Sequence, residues 1–161
     1  MTSKAQPVTH ILVTGATGQL GSELLRRAAR FDVTAVGLTS TQLDITDAQA
    51  VREAVLRSGA NVVVNAAAYT AVDKAESETA RAYAVNRDGT AHLAAACAEA
   101  NIPFIHVSTD YVFDGTKDTP YTEDDRVHPV SVYGASKEAG EQALRHAWPR
   151  HIILRTAWVY S

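Results

Sequence analysis

The segment from Val8 to Ser22 constrains the fold more than any other stretch of the chain. A short β-branched run, Val8–Thr14, passes directly into Gly15-Ala16-Thr17-Gly18-Gln19-Leu20-Gly21 and then into an amphipathic stretch near Gly18–Arg30. A strand, a glycine turn and a helix in that order open a βαβ unit. Gly15 permits a tight turn, Gly18 lets backbone approach a pyrophosphate, and Gly21 lets the helix pack closely on the strand. An anion held there meets unpaired amides at the favourable end of the helix dipole. The plainer alternative is an ordinary glycine-rich βα turn. Its position at the head of a βαβ series favours dinucleotide binding.

The rest of the chain continues the alternation. Val33–Val36, Asn61–Asn65, Pro103–Ser108 and His151–Arg155 read as strands, and their unbroken apolar runs imply cover on both faces. Amphipathic stretches near Asp47–Ser58, Ala75–Ala100 and Val132–Ala147 read as the intervening helices. Asp47 is placed to cap its helix, and Ser131 or Pro129 to open the last one. The expected fold is α/β, a Rossmann-type doubly wound parallel sheet with right-handed crossovers, over residues 8–161. Residues 1–7 read as a flexible N-terminus. The segment Asp114–Pro129, rich in turn formers and acids, reads as a solvent-facing loop.

Composition narrows the function. The 161 residues suit one domain, and 46% hydrophobic with 20% charged residues suffices for a core. A net charge of -3 supplies no field for polyanions, so nucleic acid is not an expected partner. The single Cys97 excludes an internal disulfide and reads as a buried helix residue; the six His show no paired spacing, so no metal is expected. No signal peptide and no apolar run of membrane-spanning length is visible, so the chain reads as cytoplasmic and free of the membrane.

An acid about 20 positions beyond the glycine loop would grip the adenosine ribose and favour NAD. The second strand ends instead in Leu38-Thr39-Ser40-Thr41. Thr39 and Ser40 can offer hydroxyls to a 2′-phosphate, although no nearby Arg is evident, so NADPH is preferred and NADH is the alternative. Asp44 falls late for the ribose and suits the adenine side, or a plain surface acid.

Tyr133-Gly134-Ala135-Ser136-Lys137 sets a phenol and an ammonium four residues apart, on one helical face. Carbonyl reduction needs an acid to protonate oxygen as hydride reaches carbon. A phenol is sluggish at neutrality unless a nearby cation lowers its pKa, a role suited to Lys137. Ser108-Thr109-Asp110 follows a strand at the edge where doubly wound sheets bind ligands, so the Thr109 hydroxyl can hold a substrate carbonyl oxygen. Thr109 can equally cap the turn into Tyr111.

Thr14–Gly21, Asn65–Glu76, Ser108-Thr109-Asp110-Tyr111-Val112-Phe113-Asp114-Gly115 and Tyr133–Lys137 together resemble the dTDP-4-dehydrorhamnose reductase family of extended short-chain dehydrogenases/reductases. The resemblance runs from about Ile11 to Ser161. It implies an NADPH-preferring reductase that turns dTDP-4-dehydro-L-rhamnose into dTDP-L-rhamnose. Thr109, Tyr133 and Lys137 would be its catalytic residues, and Thr109, Asp110 and Tyr133 would meet the nucleotide-sugar. Gly15, Gly18, Gln19, Leu20 and Gly21 would line the pyrophosphate, Asp44 and Ile45 the adenine, and Ala66, Ala67 and Tyr69 the cofactor beyond the third strand, with Tyr133 and Lys137 also touching it. Asn86 matches an Asn beside the cofactor, while its own setting also allows a helix amide bonded to a neighbouring strand. Family members carry a C-terminal lobe that grips the sugar; the chain reads as truncated before it, with activity on its own in question. A homodimer is compatible with this reading. The rivals are a related epimerase or dehydratase, for which Thr109-Asp110-Tyr111 lacks the acid pair, and a non-catalytic NADP-binding regulatory subunit of the methionine adenosyltransferase kind.

Overall fold

The computed structural model describes residues 9–159, so the expected flexible segment 1–7 and Val8 lie outside the described residues. Five strands, β1 (Thr9–Thr14), β2 (Val33–Leu38), β3 (Val62–Asn65), β4 (Phe104–Thr109) and β5 (His151–Thr156), form one all-parallel sheet in the order β2-β1-β3-β4-β5. The path leaves β1 in one direction for β2, then returns across β1 to β3 and continues to β5. Right-handed crossovers therefore place the first helix on one face and the later ones on the other. In agreement, α1 (Gln19–Ala28) packs on β1 and β2, while α2 (Ala48–Arg57), α5 (Gly89–Ala100) and α6 (Val132–Ala147) pack side by side.

The core lies beneath that three-helix layer. Leu12, Val63 and Phe104 are register neighbours across three strands, and Val51, Val55, Leu93, Cys97 and Leu144 descend onto them from the helices. Cys97 is a buried thiol there. Asp47 caps α2 by accepting from the Gln49 and Ala50 amides, and Ser131 caps α6 through the Gly134 amide. Pro129 opens nothing; the cap belongs to Ser131.

Two expectations are corrected. Cover on both faces fails at the sheet edges: Val36 is 54% exposed and Ile152 55%. Both lie on edge strands, and among the described residues α1 is the helix that packs on the first face, over β1 and β2. Nor is Ala75–Ala100 one helix. It comprises the end of a one-turn α3 (Val72–Ala75), then α4 (Thr79–Tyr83), a π-helical turn at Ala84–Asp88, and α5. The widened turn brings Asn86 to two distant segments. Its Oδ1 accepts the Tyr69 amide at 2.9 Å, and its Nδ2 donates to the Tyr69 carbonyl at 3.1 Å and to Ser136 Oγ at 2.9 Å. Asn86 thus staples the loop after β3 to α6, and a π turn is a common device at such places.

Among the described residues no helix is long and apolar enough to cross a membrane.

Candidate active site

The carboxyl ends of the strands open onto one continuous cleft. Its first part, about 530 Å³, is lined by Gly15, Thr17, Gly18, Ser40, Asp44, Ile45, Ala66, Ala67, Tyr69 and Arg81, among others. Its second, about 450 Å³, is lined by Gly18, Gln19, Leu20, Ala66, Thr109, Asp110, Tyr133, Lys137 and Trp158, among others. Gly18, Ala66 and Ala68 belong to both, so the two parts meet at the glycine loop. The topology explains the position: β1 lies where the chain path reverses, and ligands of such sheets occupy the crevice at that switch point.

At the junction Gly15 has φ +71°, and a Cβ on it would lie 2.6 Å from the Ala67 nitrogen. Gly21 is just as confined: a Cβ there would lie 2.3 Å from the Gly15 carbonyl oxygen. Its part is to let α1 seat against the turn, and it is not on the cleft wall. The N-terminus of α1 has no side-chain cap, unlike those of α2 and α6. Its first-turn amides have no preceding carbonyl partner, and Gly18, Gln19 and Leu20 border the cleft.

On the first wall, Asp44 Oδ1 accepts from the Thr46 amide and hydroxyl at 2.9 and 2.8 Å, which holds its carboxyl below the usual range. Ile45 contributes to the wall but is 5% exposed, with Gly89 packed against its side chain. Ser40 is on the wall and Thr39 is not. The Thr39 hydroxyl pairs with Thr41 at 2.8 Å and its amide donates to Gln42, so local turn bonds hold this residue, which does not border the cleft. A guanidinium absent from the sequence reading is present: Arg81 borders the same wall, 5.8 Å from the Tyr69 ring centroid and 3.5 Å from Glu78. It is some forty residues from Ser40 in sequence, and only the fold brings the two to one wall.

On the second wall Thr109, Asp110, Tyr133 and Lys137 come together as expected. Thr109 Oγ1 donates to Asp110 Oδ1 at 3.2 Å and accepts the Tyr111 amide at 3.2 Å, so it caps the turn and still lines the cleft. Tyr133 stands edge-on to Tyr111, with ring centroids 5.5 Å apart. Burial raises the Tyr133 phenol above its ordinary value, while the Thr109 hydroxyl pulls it the other way. This corrects the expected lowering by Lys137. The lysine nitrogen instead donates to the Val107 carbonyl at 2.7 Å and lies 3.4 Å from His106 Nε2, the nearest polar atoms to a buried amine. Thr156 and Trp158 also border this wall. Both follow from the rule that ligands gather beyond strand carboxyl ends, applied to β5 as well as to β4.

Burial lowers the Lys137 ammonium to about 8 from 10.5. Between those values the unfolded chain keeps a proton that the folded chain has lost, so stability rises with pH across the window. Full titration is worth on the order of 3 kcal/mol. The buried Cys97 thiol, pushed up to about 12 from 9, works in the opposite direction above pH 9. Urea unfolding of the wild type and Lys137→Met from pH 8 upward should therefore show stability growing relative to the variant. A difference that stays flat with pH would contradict a lowered Lys137.

Known proteins place this geometry. Residues 9–161 match the family model described as the RmlD substrate binding domain. The dTDP-4-dehydrorhamnose reductase of Mycobacterium tuberculosis is 52% identical over 155 residues, covering 94% of this chain and 50% of its own length. A crystal structure of dTDP-4-dehydrorhamnose reductase from Bacillus anthracis in complex with NADP superposes with a TM-score of 0.93 at 35% identity, covering 98% of this chain and 56% of its own. The Clostridium acetobutylicum dTDP-4-dehydrorhamnose reductase gives 0.92 at 42% identity, covering 95% of this chain and 55% of its own. The chain spans about half the length of the curated relatives it matches. With the family model matching nearly its whole length, this chain belongs to the RmlD substrate binding domain family.

Proposed function

We propose that this chain is the nucleotide-binding part of an NADPH-dependent reductase that converts dTDP-4-dehydro-L-rhamnose to dTDP-L-rhamnose. The single observation that carries the reading is the continuous cleft, which joins an uncapped helix terminus at the glycine loop to Thr109, Tyr133 and Lys137. The names of the relatives supply the substrate, and the NADP in the Bacillus anthracis protein agrees with the nucleotide.

The residues fit a dinucleotide. Glycine at position 15 lets the turn lie against the Ala66–Ala67 backbone, the amides of Gln19 and Leu20 stand at the α1 terminus, and Ser40 with Arg81 offers a hydroxyl and a cation to a 2′-phosphate. Asp44, Ile45, Ala66, Ala67 and Tyr69 enclose the adenosine side. When bound, NADPH supplies the hydride to the keto carbon. Tyr133 Oη gives its proton to the keto oxygen, the Thr109 hydroxyl donates a hydrogen bond to that oxygen, and Asp110 borders the sugar. Lys137, on the same wall, would hold the nicotinamide ribose. The same reading makes it a cytoplasmic biosynthetic enzyme acting on a nucleotide-sugar.

Titrating the chain into NADPH while following cofactor fluorescence tests the first half of the reading. Saturable binding, weakened by Arg81→Ala, is the expected result. A featureless titration would remove the dinucleotide from the cleft and the reductase with it.

A further inference from the structure

Below the Tyr133–Lys137 wall runs a row of buried polar side chains that protonation of the keto oxygen does not use. Thr14 and Asn65 are register neighbours, as are Asn65 and His106, so the three side chains leave adjacent strands on one face. Thr14 Oγ1 donates to Asn65 Oδ1 at 2.7 Å, Asn65 Nδ2 meets His106 Nδ1 at 3.2 Å, and His106 Nε2 faces Lys137 Nζ at 3.4 Å. None of the four residues is more than 2% exposed.

The proton on the imidazole can be located by elimination. Asn65 Oδ1 also accepts the Ala67 amide at 3.1 Å. A backbone N–H can only donate, so the oxygen must stay on that side and the amide nitrogen must face His106. A donor facing Nδ1 makes Nδ1 the acceptor. Burial keeps the ring neutral, its pKa falling well below the ordinary value, so the one ring proton sits on Nε2 and points at Lys137. An N–H facing a lysine nitrogen is attractive when the amine presents its lone pair, and repulsive when the amine is an ammonium.

We propose that His106 is a positioning residue for Lys137: held as its Nε2–H tautomer by Asn65, it fixes the amine against the Val107 carbonyl and biases it against the charged form. Burial also works against the charge on the lysine. From α6, Glu141 favours the ammonium, but its carboxylate is committed to Arg155 of β5 at 2.9 and 2.7 Å and to Arg145 at 2.9 Å. Tyr133 on the same helix and Asp110 beyond β4 lie toward the cleft mouth. The row also has a second end. Asn65 grips Ala67, whose backbone abuts Gly15, so the row of hydrogen bonds that reaches the lysine ends against the glycine turn. The catalytic consequence rests on the reductase reading, whereas the tautomer and its effect on Lys137 do not.

Long-range ¹⁵N–¹H spectra of the His106 ring on the wild-type chain read the tautomer directly, without any variant. The proton should be on Nε2; a proton on Nδ1 overturns the proposal. Asn65→Asp keeps the shape and the bonds from Thr14 and Ala67 but offers an acceptor to Nδ1. It should flip the ring to Nδ1–H and raise the Lys137 midpoint, followed at ¹³Cε, by about one pH unit or more. A flipped ring with an unmoved lysine midpoint would equally sink it. NADPH binding to the wild type, measured alongside, tells failure of this inference from failure of the reductase reading.

Discussion

Tyr133→Phe should slow keto-sugar reduction by about a hundred- to ten-thousand-fold, the range that one positioned acid contributes, while leaving NADPH affinity within a few-fold of the wild type. The substitution deletes one oxygen on the cleft wall and keeps the ring that stands edge-on to Tyr111. In the proposed reading the cofactor draws on the glycine loop and the Ser40–Arg81 wall, both untouched. The split between rate and affinity is therefore the informative quantity, read by steady-state kinetics in the longest form of the protein that turns over. Normal turnover would mean that another group protonates the oxygen, and the Tyr133 assignment would be lost.

Gly15→Val should cost about 3 kcal/mol or more of stability and abolish measurable NADPH binding. Two penalties coincide at this position. A β-branched residue is strained at φ +71°, and its Cβ would lie 2.6–2.7 Å from three backbone atoms of Ala66 and Ala67, which cannot swing aside as a side chain can. Gly59 separates the two effects. Its φ is +63° but nothing lies within 4 Å of a Cβ there, so Gly59→Val should show the backbone strain alone, about 1–2 kcal/mol, with binding intact. Chemical denaturation and the fluorescence titration measure both quantities. Equal behaviour of the two variants would show that the closeness of Gly15 to the β3 loop is unimportant.

Where signals are local, the sequence predicted the structure closely. Val132–Ala147 is helical over the expected span, with Ser131 as its cap, because a cap and a periodic face are written in consecutive residues. The βαβ opening and the meeting of Thr109, Tyr133 and Lys137 were equally legible, the latter because strand ends and one helix face leave few ways to arrange them. Most of the misreadings share a cause: partners distant in sequence. Thr39 is the exception, since its bonds run to Thr41 and Gln42, two and three residues on, in a turn that hydroxyl chemistry alone does not rank. Arg81 and Trp158 reach the cleft by topology. Lys137 turns to Val107 and His106, not to Tyr133, because the strand beneath offers nearer polar atoms. Edge exposure at Ile152 depends on which faces the helices occupy, which apolar runs do not encode.

The π-helical turn at Ala84–Asp88 lets one stretch of chain serve two masters. A single extra residue in a turn rotates everything after it by about 100° relative to an unbroken α-helix. Ahead of that offset the chain answers to the cleft, through Arg81; behind it, Leu93 and Cys97 answer to the sheet. Here it is a count of residues, more than their kind, that keeps the cleft side and the core in phase.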